Sequence, residues 1–194
     1  MPPKTSRRYR HGDESRERIL QVSLELATER GYDGMTLGLV RERTGLPASS
    51  IYWHFAGKDA LMAEVVDYSF RMWQEYLTTI PPRADDTIEA RVRERLDITL
   101  RGLTESPQFW RLGLMLVMTR REHEAARERF LLNRRGSLSS VVEWWSQLMP
   151  ADVLASRPGL PILLTQISFA ISDGLFIAGH TDRRWDFAAI ARSL

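Results

Sequence analysis

Between positions 36 and 58 the chain collects side chains suited to gripping a partner: Thr36, Ser49, Ser50, Tyr52, Trp53, His54 and Lys58. Their spacing sorts them from their apolar neighbours. Ile51 and Phe55 stand four apart and, with Leu37, Val40 and Leu46, point to an interior. Pro47, Ala48, Ser49, Ser50, Tyr52, Trp53 and His54 are then left on the outer side. A solvated surface seldom carries Tyr, Trp and His together, so this face is either a packed interface or a binding face.

Nothing elsewhere calls for bond-making chemistry. GxxxxGK[ST], GxGxxG, HExxH and GxSxG are absent. His11, His54, His123 and His180 are too scattered to specify a metal site, and neither a metal nor a cofactor is expected. Glu122, His123 and Glu124 are consecutive, which splays them around a helix and reads as a solvated face. The absence of cysteine excludes a disulfide scaffold, a cysteine nucleophile and thiolate ligands. An enzyme is not expected.

The 194 residues, 43% of them hydrophobic and 27% charged, suit one domain or a small domain joined to a medium one. The net charge of +2 is unevenly placed. Lys4, Arg7, Arg8 and Arg10 form a basic arm without an acid, acids outnumber bases over 13–60, and the two balance thereafter. The arm reads either as a nucleic-acid contact or as a solvated tail. No apolar core of a signal peptide opens the chain, and no apolar run reaches the ~18 residues that span a bilayer. The expectation is a cytoplasmic protein outside the membrane.

The elements that hold the outer face are helices. No stretch alternates with the period of a strand. Residues 15–30 place Ile19, Val22, Leu26 and Ala27 on one face, with Gly31 as a stop. Thr36 is expected to cap a short helix closed by Gly45, and Pro47 to open another through about 54. Further helices are expected over 58–77, from an Asp86/Glu89 capping pair to 104, from a Ser106-Pro107 start through 118, over 120–149, over 162–179 and over 185–194. The 162–179 segment is apolar nearly all round, but Thr165, Gln166, Ser168, Ser172 and Asp173 argue against a membrane span.

Two short helices joined by a turn at Gly45 outline a helix-turn-helix, whose second helix enters the DNA major groove. The stretch TLGLVRERTGLPASSIYWHFAGKDAL (36–61), with RILQVSLELATERGYDGM before it, resembles the DNA-binding domain of TetR/AcrR transcriptional regulators. Gly31-Tyr32, Thr36, Gly45, the Ile-Tyr-x-x-Phe at 51–55 and Lys58-Asp59-x-Leu61 carry the match in order. Arg41, Ala27 and Pro47 depart from the family's usual residues.

The resemblance implies an all-α protein with a three-helix DNA-binding domain over 1–57 and a helical regulatory and dimerisation domain over 58–194. It implies phosphate contacts from Tyr52 and Lys58, and from the helix start at Thr36. Ser49, Ser50, Trp53 and His54 would reach base edges or the sugar backbone, and Arg7, Arg8 and Arg10 would follow the duplex. The function implied is that of a homodimeric repressor on a palindromic operator, released by a small apolar or aromatic effector. Trp73, Trp110, Leu114, Met118, Phe130, Trp144 and Phe169 would wall the effector cavity. The alternative is that these residues only fill a core and the protein binds DNA constitutively. Phe169, Ile171, Asp173, Leu175, Phe176 and Phe187 would form the dimer interface.

Overall fold

The computed structural model describes residues 4–78, 87–118 and 123–181, with side chains from Gly12 onward. The helix expected over 185–194, Phe187 within it, and the side chains of Arg7, Arg8 and Arg10 lie outside the described residues. Every element among the described residues is an α-helix: α1 (Lys4–Gly34), α2 (Leu37–Thr44), α3 (Ala48–His54), α4 (Lys58–Thr78), α5 (Ile88–Glu105), α6 (Gln108–Met118), α7 (Glu124–Leu148), α8 (Ala151–Ser156) and α9 (Leu160–Thr181).

Two compact units result. The first comprises Met1–Arg71 and Arg111–Leu131, the second Met72–Trp110 and Leu132–Leu194. The linear boundary expected between 57 and 58 therefore falls inside the first unit, because the start of α4 packs with the helix-turn-helix. Leu61, Met62, Val65 and Val66 of α4 are completely buried, as are Ile19 and Leu26 of α1 and Met35 and Val40 around α2. Each such side chain contributes about 1.5–3 kcal/mol by leaving water.

α1 starts at Lys4 and not near residue 15, so the backbone of the basic arm continues the helix from its first turns. It breaks at Gly31, whose φ of 74° and ψ of 176° are not helical. The next helices end and begin by local rules. Thr36 caps α2, its Oγ1 accepting from Leu39 N–H at 3.2 Å. Gly45 ends it in the left-handed region (φ 70°), where a Cβ is disfavoured, and donates to Arg41 O at 3.0 Å.

In the second unit several helix ends differ from expectation. Thr87 caps α5, its Oγ1 accepting from Ala90 N–H at 3.2 Å, in place of the expected Asp86/Glu89 pair. Ser106 closes α5, donating its backbone N–H to Gly102 O at 3.2 Å, and does not cap α6. α8 has no counterpart among the expected helices; six residues are too few to show a helical period. α9 is 22 residues long with a mean hydropathy of 1.6 over its most apolar window, of which 17% is buried. By length and composition it could cross a membrane, which the absence of an uninterrupted apolar run had hidden. Its hydroxyls are internally satisfied, Ser168 on Leu164 O and Ser172 on Ser168 O, and its Asp173 is held in a two-pronged ion pair by Arg134.

Candidate nucleic-acid interface

α3 is oriented by what it buries. Ile51 is 1% and Phe55 4% exposed, and Phe55 N–H closes the helix on Ile51 O at 2.9 Å. Leu37 and Leu46, expected in the same core, are half-buried. Thr44, at the end of α2, is buried and donates to Val40 O at 2.7 Å while accepting from Leu46 N–H at 3.3 Å. This bond fixes the path of the turn. Pro47, with φ −64° and ψ 150°, stands one place before the first helical residue, and its carbonyl accepts from Ser50 N–H at 3.0 Å.

The opposite face of α3 is open. Tyr52 is 60% and Trp53 77% exposed. Ser49 is exposed and Ser50 half-buried. His54 sits at the edge of this surface, its ring meeting Trp53 edge-on at 4.5 Å. Burial and then the neighbouring Arg16 charge hold its imidazole below the ordinary histidine pKa, against an opposing pull from Asp13. An indole and a phenol exposed side by side on one short helix form an apolar surface of the kind that marks a binding face.

α2 is braced from behind. Arg43 makes two parallel hydrogen bonds to Glu29 of α1, at 3.0 and 3.1 Å, so its charge is already paired on the exposed side of α1 and α2. Arg16 pairs with Glu64 at 2.7 Å and lies over the Phe55 ring at 5.6 Å, tying α1 to α4 beside the end of α3. Lys58, at the start of α4, places its Nζ 4.4 Å from the centre of the Tyr32 ring and 3.3 Å from Asp33 O. Thr36 is exposed at the start of α2.

Residues 19–65, which include α2, α3 and the start of α4, match a family described as bacterial regulatory proteins, tetR family. Over 176 residues the chain is 33% identical to the HTH-type transcriptional regulator AcrR of Shigella flexneri, covering 84% of this chain and 79% of that protein. The chain belongs to the TetR/AcrR family. It is also 37% identical over 68 residues to the tetracycline repressor protein class A from transposon 1721 of Escherichia coli, over 35% of this chain but only 30% of that protein's length. The fold is shared with a transcriptional regulator from Aquifex aeolicus VF5, with a TM-score of 0.64 at 17% identity over 92% of this chain and 94% of that one. It is shared too with the fatty acid degradation regulator FadR from Bacillus halodurans, at a TM-score of 0.65 and 15% identity over 92% and 90%. These relatives and neighbours are described as regulators, not enzymes.

Behind the open face of this TetR/AcrR protein lies a cluster that sequence reasoning missed. Tyr32 is 7% exposed, donates to Asp59 Oδ1 at 3.3 Å and carries Lys58 on its ring. Burial first, then the Asp59 carboxylate, push its phenol up to about 12. His123 stacks on it, with Nε2 3.7 Å from Asp33 Oδ1. At 6% exposure His123 does not lie on the solvated face expected for it. It precedes the first turn of α7 and is enclosed by Tyr32, while Glu124 after it remains exposed. Only the Gly31-Tyr32 motif pointed here, and it held no hint of His123.

The residues considered for an effector cavity are distributed over both units. Leu114, Met118 and Phe130 belong to the first; Trp73, Trp110, Trp144 and Phe169 belong to the second. Phe130 is buried against Gly113, where an added methyl would overlap its ring. Met118 is 78% exposed. In the second unit Trp73 and Trp110 have ring centres 4.9 Å apart, with Phe109 5.5 Å from Trp110. Among the residues considered for dimer contact, Ile171 is 51% exposed, Phe169, Asp173 and Leu175 are less open, and Phe176 is only 5% exposed. Phe176 therefore faces its own unit's interior. Among the described residues no three histidines or acids gather into a metal-holding group.

Proposed function

We propose that this protein is a DNA-binding repressor that acts in the cytoplasm as a homodimer on a palindromic operator and leaves it when a small molecule occupies the regulatory domain. The carrying observation is the open face of α3, where Tyr52 and Trp53 are exposed on a helix whose other side is locked by Ile51 and Phe55. Tyr52, Lys58 and Thr36 then hold phosphates, and Ser49, Ser50, Trp53 and His54 read or line the groove. The basic residues Arg7, Arg8 and Arg10 add positive charge for the phosphates.

Dimerisation falls to α9. Ile162, Leu163, Ile167, Ile171 and Ile177 are 42–52% exposed along it, an apolar surface that needs a cover. A two-fold axis brings the same face of a second copy to it and sets two recognition helices about 34–36 Å apart, one turn of duplex. The effector acts by favouring one dimer geometry over another, and a coupling of about 1–3 kcal/mol changes DNA affinity about 5–150-fold.

Selection of bound duplexes from a random pool tests the DNA reading directly. An enriched inverted repeat with half-site centres about 10–10.5 base pairs apart, or a multiple of that, is expected. Enrichment of no sequence, or of an asymmetric single site, would overturn it.

A further inference from the structure

Arg95 of α5 is half-buried, and its guanidinium lies 5.5 Å from the centre of the Trp144 ring of α7. Among the described residues it has no carboxylate partner, whereas Arg93 pairs with Glu89, Arg101 with Asp97 and Arg134 with Asp173. A guanidinium carries five N–H donors in a planar fork, and a contact with a ring leaves them needing conventional acceptors. Burial holds its pKa below the ordinary arginine value, the sign of a cation short of counter-charge.

The surroundings share the same imbalance. Trp145, whose ring centre is 4.8 Å from that of Trp144, has a buried Nε1 without an acceptor, and so has Trp110 in the same unit. Buried donors without acceptors are uncommon and call for an explanation. Along α5, Arg95, Ile98, Thr99 and Gly102 fall on one face, at i, i+3, i+4 and i+7. At the far end the Trp73 indole nitrogen rests on Gly102, where a Cβ would come within 2.9 Å of it. One end of this face is therefore cationic and the other, two turns away, aromatic.

We propose that Arg95 anchors the carboxylate of the effector, which is a monoanionic acid on an apolar or aromatic body. The two carboxylate oxygens accept from the guanidinium fork, and the body lies along α5 towards Trp73 and Trp110. Arg93, Arg101 and Arg134 are already neutralised by their own partners, which disfavours a dianionic phosphate ester. A cationic ligand is repelled. This inference rests on the ligand-responsive reading above and narrows it to one chemical class.

The test uses calorimetric titration of the full chain with two matched series: 1-naphthoate, 1-naphthalenemethanol and 1-naphthylmethylamine, then octanoate, octanol and octylamine. In at least one series the acid should bind about tenfold or more tighter than its alcohol, and the amine weakest. Arg95→Gln should bring the acid to the alcohol's level while the alcohol is unchanged. Arg95→Lys, which keeps the charge but loses the fork, should fall between. Thermal melts of the free variants establish that they fold. Binding of alcohols or amines as tight as acids, or an acid preference that survives Arg95→Gln, overturns the proposal and leaves the ligand-responsive reading standing. Binding of none of the six compounds overturns both.

Discussion

The His123 imidazole lies against the Tyr32 ring with centroids 3.4 Å apart and planes 27° from parallel. His123 immediately precedes α7, whereas Tyr32 follows the break in α1 and carries Lys58. A side chain from the second half of the sequence thus backs the tyrosine on which the proposed phosphate-binding lysine rests. Replacing His123 with alanine removes this support. It should lower stability by about 1–3 kcal/mol and weaken operator binding beyond the loss of fold, measured by denaturant unfolding and by titration at a temperature where the variant is folded. Wild-type affinity in the folded variant would separate the stack from the DNA face.

The same tyrosine sets an alkaline limit. Its folded pKa is raised to about 12 from an ordinary value near 10, so the native state holds the proton more tightly than the unfolded chain. The resulting stability is fully present below pH ~10 and is lost as pH rises through about 12. Tyr76, bonded to Glu105 at 2.6 Å, is also raised to about 12. Ultraviolet titration should therefore show late phenol ionisation, and Tyr32→Phe should remove one late step. An unchanged profile in Tyr32→Phe would contradict the assignment.

Lys58 and Tyr52 are expected to grip phosphates. Lys58→Ala should weaken binding to every duplex and reduce the salt slope by about one unit, while Ser49→Ala shifts preference between operators. Because Lys58 also rests on Tyr32, its removal should cost about 0.5–1 kcal/mol of stability, to be subtracted from the effect. Identical salt slopes for Lys58→Ala, Tyr52→Phe and wild type would remove both residues from the interface.

Gly113 is required by the ring upon it. Gly113→Ala drives a methyl into Phe130 and should destabilise by about 1–3 kcal/mol. The double variant Gly113→Ala with Phe130→Leu should be less destabilised than the two single changes add up to, giving a coupling of about 0.5–3 kcal/mol in a denaturation cycle. Simple additivity would mean that the backbone, not the ring, absorbs the methyl.

Two substitutions in α9 distinguish folding from the proposed assembly. Ile171→Glu puts a charge on an exposed position and should yield a folded monomer with weak operator binding. Phe176→Glu puts one in an interior and should unfold the chain. Sedimentation and circular dichroism distinguish the two. A dimeric Ile171→Glu at micromolar concentration would move the interface elsewhere.

Features decided within one or two turns were legible from the sequence. The Thr36 cap rests on a bond between residues three apart, and the Gly45 stop rests on a backbone angle that glycine adopts without strain. Ile51 and Phe55, one turn apart, announced which side of α3 turns inward, and so left Tyr52 and Trp53 outside. Other choices depended on what came to lie nearby in the folded chain. His123 reads as solvated beside two glutamates until Tyr32 encloses it, and nothing in the sequence pairs Phe130 with Gly113. α9 is apolar nearly all round, so no periodicity could say that Phe176 faces in while Leu163, Ile167 and Ile171 face out. Arg95 is one arginine among many in the sequence. Only the folded chain set it on Trp144 without an ion-pair partner among the described carboxylates, because hydrogen-bond caps are local whereas burial and ion pairing depend on distant residues brought together.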